Sequence, residues 1–136
     1  MDKKNNKSPM SGALSGVRVI DISNFLAGPI SSMFLGDFGA DVIKVERPGT
    51  GDEIRYWGNN KDGVGLMYKL VNRNKRSVTA DLRTPLGVEI VMALIKDADI
   101  IIENYRKGTL EKWGLDYETL SKINPGLIMV RITGFG

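Results

Sequence analysis

Cations follow several predicted strands of this 136-residue chain, at positions where an α/β fold binds its ligands. Arg47, Arg83, Arg106 and Lys107 each come after a run rich in β-branched residues, and glycines, an asparagine and aromatic residues lie beside them. Guanidinium groups form paired hydrogen bonds with phosphate oxygens and also stack on aromatic rings. This composition indicates an anion site with a stacking surface, suited to a nucleotide that carries several phosphates.

Each of these cations also has an ordinary structural interpretation. Arg83 precedes Thr-Pro and could be an exposed residue beside a helix cap, while Arg47 precedes Pro-Gly and could be a solvated turn residue. Lys75 and Arg76 stand at the start of a predicted strand, away from its ligand end. We expect both of them to be solvated there, and no ligand role is assigned to them.

The other candidates for the site are equally open. Asn104 could close a turn with its own side chain, and Tyr105 and Trp113 could pack in the core or in a lid. The Gly-Thr-Gly-Asp element at residues 49–52 has neither the spaced glycines of a dinucleotide-binding motif nor the lysine of a P-loop. The sequence therefore argues against the standard dinucleotide and P-loop classes.

Composition excludes several further chemistries. The chain has no cysteine and no histidine, which removes disulfides, the usual zinc sites and any triad that needs imidazole. Lysine and arginine outnumber the acidic residues by only 19 to 16, and the two signs are interspersed, unlike a nucleic-acid-binding surface. The first residues are polar, and no run approaches the roughly 20 apolar residues of a membrane span. We therefore predict a cytoplasmic protein with no metal site that binds neither nucleic acid nor a membrane.

Short β-branched runs alternate with helical stretches along the chain, and this pattern predicts an α/β fold with a mainly parallel sheet and flanking helices. Strands are predicted over residues 17–23, 41–47, 76–82, 99–105 and 127–133. The clearest helix is predicted over residues 84–98, with Thr84 as its N-cap and Pro85 at its first position.

The remaining segments complete the predicted organisation. Residues 1–13 are predicted to be a flexible tail, and residues 14–136 to be the N-terminal part of a larger domain, because the last strand is not followed by the helix that it should precede. A flexible insert is predicted within residues 47–65, which are rich in glycine, asparagine and charge.

Three blocks, residues 16–55, 72–87 and 97–136, carry a family resemblance. They include DVIKVERPGTGD at 41–52, NKRS at 74–77 and TGFG at 133–136. In this order, and from about residue 14 onward, they resemble the N-terminal segment of the class III CoA-transferases. That family includes formyl-CoA:oxalate and carnitine CoA-transferases as well as α-methylacyl-CoA racemases.

The resemblance implies a Rossmann-like large domain that binds coenzyme A, in a subunit that interlocks with a second copy as a homodimer. It implies that the full-length enzyme transfers CoA from an acyl-CoA to a carboxylic acid, with CoA as a substrate and no permanently bound cofactor. An acyl-CoA racemase and a CoA-binding remnant without catalysis are the alternatives. The family's catalytic aspartate, which forms a mixed anhydride and then an enzyme-bound thioester, lies beyond Gly136. The 136 residues alone are therefore expected to be inactive.

The resemblance also implies which residues contact CoA. Leu26 stands where formyl-CoA transferases carry glutamine, so a polar contact near the acyl thioester is lost. Asp41 and Asp52 do not correspond to the family's nucleophile. The implied CoA contacts are Leu26, Ala27, Arg47, Ala80, Asp81, Leu82, Arg83, Asn104, Tyr105, Arg106 and Lys112.

Overall fold

A five-stranded parallel sheet organises residues 12–135, which are the residues that the computed structural model describes. Its order is β5-β2-β1-β6-β7, and each adjacent pair is parallel. All five predicted strands and the α/β class are confirmed. The strands in chain order are β1 (Arg18–Asp21), β2 (Asp41–Glu46), β3 (Asn60–Lys61), β4 (Val64–Gly65), β5 (Lys75–Thr79), β6 (Ile100–Glu103) and β7 (Ile128–Arg131), of which β3 and β4 form a separate antiparallel pair.

Helices cover both faces of the sheet, because successive strand residues point to opposite sides. Ile20, Ile43 and Ile101 pack in the larger core with the apolar sides of α3, α4 and α5, whereas Val19 and Val42 pack on the opposite face with α1. The helices are α1 (Ala27–Asp37), α2 (Leu66–Val71), α3 (Pro85–Ile95), α4 (Thr109–Trp113) and α5 (Tyr117–Ile123).

Helix α3 begins as predicted and ends earlier. Oγ1 of Thr84 accepts a hydrogen bond of 3.1 Å from the N–H of Gly87, and Pro85 is the first helical residue. The helix ends at Ile95 rather than at Ala98. Nδ2 of Asn124 donates to the carbonyl oxygens of both Ile95 and Ala98, at 2.9 and 2.6 Å, and so satisfies carbonyls that another helical turn would have used.

The segment predicted to be a flexible insert is folded, and that prediction was wrong. A short 3₁₀ helix covers Glu53–Tyr56, and the β3-β4 hairpin follows it. Asp52 and Ile54 are fully buried, which anchors the segment at its centre. Composition revealed the glycines and charges of this segment but not these two anchors.

The predicted tail falls mainly on residues 1–11, which lie outside the described residues. Leu14, by contrast, packs against the smaller apolar cluster together with Val17. None of the helices within residues 12–135 has the length and apolar character needed to cross a membrane.

The start of α3 is packed too closely for a side chain at Gly87. A Cβ atom there would lie 1.9 Å from the carbonyl oxygen of Asp81. We expect Gly87→Ala to lower the free energy of unfolding by about 2–3 kcal/mol, as overpacked sites do, in urea titrations followed by circular dichroism. Gly126→Ala is the control, because its Cβ would meet only Oδ1 of Asn124, at 3.6 Å. Equal losses in the two variants would contradict this account.

Candidate functional site

The strand order reverses between β1 and β6. From β1 the chain proceeds outward to β2 and β5, returns to β6 on the other side of β1, and continues to β7. In open α/β sheets, ligands bind at the carboxyl ends of the strands beside such a reversal. The loops that follow β1 and β6, residues 22–26 and 104–108, therefore border the candidate site.

Reciprocal hydrogen bonds join these two loops. The backbone N–H of Asn24 donates to Oδ1 of Asn104 at 2.8 Å, and Nδ2 of Asn104 donates to the carbonyl oxygen of Asn24 at 2.7 Å. Asn104 thus binds the loop after β1 instead of closing a turn of its own. The prediction that Asn104 belongs to the groove gains a structural reason, since it fixes one wall of the crevice to the other.

Phe25, at the centre of the first loop, has an unusual backbone conformation. Its φ of 67° lies in the left-handed region, which costs a bulky residue about 1–3 kcal/mol. The N–H of Phe25 donates to Oδ1 of Asp52 at 2.9 Å, and its ring packs against Trp57 with centroids 5.4 Å apart. Both contacts come from the segment after β2, so that segment imposes the conformation of the loop.

Four buried charges lie beneath this loop, and we call Asp21, Lys44, Asp52 and Lys75 the buried charge cluster. Their side chains are at most 1% exposed. Nζ of Lys44 lies 2.9 Å from Oδ2 of Asp52 and 3.8 Å from Oδ1 of Asp21, while Nζ of Lys75 lies 3.0 Å from Oδ2 of Asp21. Two positive and two negative charges therefore compensate each other where water is excluded.

Lys75 was predicted to be solvated, and that prediction was wrong. Its Nζ donates to Asp21, to the carbonyl oxygen of Pro29 and to Oδ1 of Asn72, at 3.0, 2.8 and 2.8 Å. Burial lowers the pKa of Lys75 to about 8, although Asp21 opposes the shift. Burial raises the pKa of Asp21, but the charges of Lys44 and Lys75 outweigh it and leave that pKa below its usual value. Arg76 is exposed, as predicted, and pairs with Asp41.

Helix α1 starts directly after the loop. Leu26 occupies its N-cap position, half-buried, and no side chain caps the helix. A Cβ at Gly28 would lie 2.2 Å from Cβ and Oγ of Ser23, so the helix begins close against the end of β1. The first N–H groups of a helix lack internal partners and favour an anion. Leu26 and Ala27, both predicted CoA contacts, stand at this terminus.

A groove of about 750 Å³ opens between the start of α1, the loop after β6 and the end of β7 with the segment that follows it. Four of the predicted contacts, Ala27, Asn104, Tyr105 and Arg106, line it together. The predicted CoA contacts include no residue of the segment after β7, although that strand ends at the same edge of the sheet. The groove is lined by Ala27, Asn104, Tyr105, Arg106, Lys107, Arg131, Ile132, Thr133, Gly134 and Phe135.

The cations of the groove differ in their pairing. Nε of Arg131 lies 2.6 Å from Oε1 of the buried Glu103, and its Nη1 lies 2.7 Å from Oε1 of Glu111. The hydrogen bonds that Arg131 donates to Glu111 and Glu103 raise the pKa of Arg131. Arg106 and Lys107 are exposed, and neither side chain forms an ion pair within residues 12–135. Arg131 is therefore a structural cation, whereas Arg106 and Lys107 are available to an anion.

Tyr105 serves both the core and the groove. Its ring packs edge to face on Trp113 with centroids 5.1 Å apart, and both residues contact the larger core. The backbone N–H of Tyr105 donates to Oε2 of Glu103 at 2.7 Å, and burial raises the pKa of the Tyr105 hydroxyl. Core packing thus accounts for Trp113, while Tyr105 presents part of its surface to the groove.

Arg47 lies in a second pocket of about 280 Å³ rather than in the groove. It is exposed, with no ion pair among residues 12–135. At the base of this pocket, Glu46 accepts hydrogen bonds from Arg55, at 2.8 and 2.6 Å, and from the Tyr68 hydroxyl, at 2.9 Å. Burial raises the pKa of Glu46, but the hydrogen bonds from Arg55, from the backbone of Asp52 and from Tyr68 lower it to about 2.

The segment predicted to follow the nucleotide, residues 80–83, lines neither of these two pockets. Ala80 and Leu82 are buried in the larger core, which leaves only their backbone for a ligand. Nε and Nη2 of Arg83 bind the carboxylate of Asp81 at 2.8 and 2.7 Å, and this pairing lowers the pKa of Asp81 to about 2. Arg83 is thus an exposed residue beside the α3 cap, and its contact with CoA stays a prediction.

Lys112 also lies apart from the groove. It is exposed on α4 and lines neither pocket. Its predicted contact with CoA likewise stays a prediction. The structure therefore brings together the predicted contacts that follow β1 and β6. The predicted contacts at Arg47, at residues 80–83 and at Lys112 lie apart from them.

A parallel sheet with a groove at its reversal point, bordered by available cations and an uncapped helix, defines an α/β protein with a site suited to an anionic ligand. The sequence comparison makes the assignment more specific. Residues 14–136 match the profile described as CoA-transferase family III, and the chain belongs to that family.

Several characterised relatives are similar to this chain. It is 52% identical over 90% of its length to succinyl-CoA–D-citramalate CoA-transferase of Chloroflexus aurantiacus, and 49% identical over 99% to succinate–glutarate CoA-transferase of Agrobacterium fabrum. The crystal structure of a CaiB/BaiF family protein from Brucella suis superposes with a TM-score of 0.86, at 48% identity, over 92% of this chain. The chain spans 31%, 34% and 34% of these three proteins, about a third of their length.

The low pKa of Glu46 predicts a specific acid dependence of stability. Because its pKa is lower in the folded than in the unfolded chain, Glu46 stabilises the fold above about pH 4.5 and loses this effect as the pH falls toward 2. We expect Glu46→Gln to lower the free energy of unfolding by about 2 kcal/mol at pH 6, after allowance for solvent screening. Urea titrations from pH 2.5 to 6 should show the difference shrinking on acidification. A difference independent of pH would contradict this assignment.

Proposed function

We propose that the groove binds the CoA moiety of an acyl-CoA, and that the whole protein transfers CoA from an acyl-CoA to a carboxylic acid. The observation that carries this proposal is the groove itself, where Arg106 and Lys107 form no ion pair with residues 12–135 and lie beside the uncapped start of α1. Family membership supports the reaction class, since the relatives named above are CoA-transferases.

The charges of the site suit CoA, which carries a diphosphate and a 3′-phosphate. A guanidinium binds phosphate oxygens in pairs, and free N–H groups at a helix start add donors. Arg47 follows β2, so it lies at the same edge of the parallel sheet as the groove and residues 80–83, which follow β5. We propose that CoA extends from the groove toward Arg47, which would bring most of the predicted contacts to one ligand.

In this proposal the C–S bond of the acyl-CoA breaks, and the donor acyl group is finally released as its carboxylate. The acceptor carboxylate gives up one oxygen, which ends in the released donor acid, and its carbonyl carbon forms a new C–S bond to CoA. The resemblance implies that an aspartate outside the 136 residues attacks the acyl-CoA, so the described residues bind and orient the substrate. Relatives of this chain are named for the dicarboxylates succinate, glutarate and citramalate. Succinyl-CoA is therefore the first donor to assay, with dicarboxylic acids as acceptors.

Two alternatives keep the same groove. An acyl-CoA racemase would exchange the α-proton of its substrate for solvent deuterium without any acceptor acid. A binding protein would retain CoA without turnover. Transfer of CoA that depends on the acceptor acid would separate the proposed enzyme from both.

We also propose that the complete subunit forms the interlocked homodimer that the resemblance implies. Large apolar side chains on α1, at its C-cap and on α2 support this proposal, because they are about half exposed and would be covered by further protein. They are Phe34, Phe38, Leu66 and Leu70. Sedimentation of the complete protein at twice the subunit mass would agree with a dimer, and sedimentation as a monomer would contradict it.

Calorimetry with CoA tests the proposed site directly. We expect CoA to bind with a submillimolar dissociation constant and dephospho-CoA to bind more weakly, because it lacks the 3′-phosphate. The absence of heat at millimolar CoA would refute the proposal.

Arg106→Ala should weaken CoA binding by about 1.5–3 kcal/mol, the scale of a hydrogen bond to a charged group. Arg76→Ala is the matched control, because Arg76 is an exposed arginine at the opposite end of its strand, paired with Asp41 at 2.7 Å. We expect the dissociation constant of the Arg76→Ala variant for CoA to match that of the unaltered protein. An equal effect of the two substitutions would show that only net charge matters.

The Asp81–Arg83 pair gives a second test, with effects of opposite sign. If a CoA phosphate binds Arg83, it must displace the Asp81 carboxylate that occupies the guanidinium. Asp81→Asn should then tighten CoA binding several-fold, whereas Arg83→Ala should weaken it several-fold. Calorimetry of both variants with CoA measures these affinities. Unchanged affinities would show that residues 81 and 83 do not contact CoA.

A further inference from the structure

We infer that Asp52 is a positioning residue for CoA binding, because its carboxylate holds Phe25 and thereby fixes the loop of residues 22–26 and the start of α1. This inference rests on the proposed CoA site. It assigns a role in binding to Asp52, which does not line the groove. Asp52 belongs to the segment after β2, so the folded insert takes part in forming the ligand loop.

Side chains bind nearly all the backbone polar groups at the centre of this loop. The partners come from four separate parts of the chain: the end of β1, the middle of β2, the segment after β2 and the loop after β6. Such a loop is defined by its surroundings rather than by its own backbone hydrogen bonds. The bonds are Ser23 N–H to Asp21 Oδ1 (3.0 Å), Lys44 Nζ to Ser23 O (2.5 Å), Asn24 N–H to Asn104 Oδ1 (2.8 Å), Asn104 Nδ2 to Asn24 O (2.7 Å) and Phe25 N–H to Asp52 Oδ1 (2.9 Å).

The two carboxylate oxygens of Asp52 have separate roles. Oδ1 accepts from the N–H of Phe25 at 2.9 Å and from that of Ile54 at 3.1 Å, so one atom joins the loop to the insert. Oδ2 is buried, has no hydrogen bond within residues 12–135 and lies 2.9 Å from Nζ of Lys44. The attraction to Lys44 keeps the carboxylate in place beneath the loop.

The left-handed conformation of Phe25 makes the loop depend on this contact. A phenylalanine does not adopt a φ of 67° unless its surroundings require it. An asparagine at position 52 has no charge to attract Lys44, and if its Oδ1 still faced the N–H of Phe25, its Nδ2 would face the Lys44 ammonium. The side chain would therefore not stay in place, and residue 25 would be free to return to negative φ, which would redirect Leu26 and the first turn of α1. Ala27, in that turn, lines the groove, so the affinity for CoA should fall.

Asp52→Asn in the complete protein tests this role by calorimetry with CoA. We expect the dissociation constant to rise about tenfold or more, since small misplacements of binding groups have effects of that size. Turnover at saturating succinyl-CoA and acceptor acid should change less than about twofold, because Asp52 contacts no reacting group. An unchanged dissociation constant, or a loss in turnover alone, would overturn the inference.

Asp116→Ala is the control for lost stability. Asp116 also accepts a backbone N–H, that of Thr119 at 3.0 Å, but it caps α5 and lines neither pocket. Loss of an N-cap destabilises a helix, so both substitutions should lower the melting temperature, whereas only Asp52→Asn should weaken CoA binding. Equal changes in affinity would show that Asp52 acts through stability alone.

Adding Phe25→Gly to Asp52→Asn provides a rescue that a merely structural role would not show. Glycine adopts a φ of 67° without steric cost, so the loop would regain its geometry without the Asp52 contact. We expect the double variant to bind CoA more tightly than Asp52→Asn alone. No recovery would overturn the inference.

If Asp52→Asn does not fold, amide hydrogen exchange in the unaltered protein decides the question. The Phe25 amide should exchange at least about a thousandfold more slowly than a free amide, as a bonded group opened only by larger unfolding does. Exchange at the rate of an exposed loop amide would overturn the role of Asp52. Absence of CoA heat from the unaltered protein would instead refute the proposed function, which the exchange rate does not test.

Discussion

The compensation of charge beneath the loop after β1 is the constraint on which the rest of the site depends. Asp21 and Lys44 continue the face of the sheet whose apolar members, Val19 and Val42, pack against α1. They are buried as completely as those apolar residues, so each needs a partner of opposite charge. Asp52 and Lys75 are those partners, and they come from the insert and from β5. The need to pair buried charges therefore joins β1, β2 and β5 to the segment that follows β2.

The same requirement separates structural charges from charges that can serve a ligand. Arginines and lysines that meet a buried carboxylate, such as Arg55 with Glu46 and Arg131 with Glu103, are already committed to the fold. Arg106 and Lys107 follow β6 at the groove without such a partner among residues 12–135. They are the cations that the proposed anionic substrate would meet, which is why pairing is a better guide to the candidate site than the number of cations.

Much of the architecture was predictable, since strands with β-branched runs and a capped helix depend on local sequence. The Thr-Pro start of α3 and the positions of Asn104 and Arg106 after β6 are examples. The failures have a common physical reason. Lys75 at the start of a strand and Asp52 in a glycine-rich segment look solvated, because their partners are distant in the chain. The alternation Val42, Lys44, Glu46 was a signal that charges enter the interior, since all three residues share one face.

The bond between Asn24 and Asn104 spans 80 positions of the sequence. During synthesis, the loop after β1 therefore leaves the ribosome long before the residue that will hold it. Asp52 and Lys75 also follow it by many residues, so the polar groups of the nascent loop bind water instead of protein for most of that interval. The candidate crevice is accordingly among the last parts of this region to mature on the ribosome, although its first wall is made from some of the earliest residues.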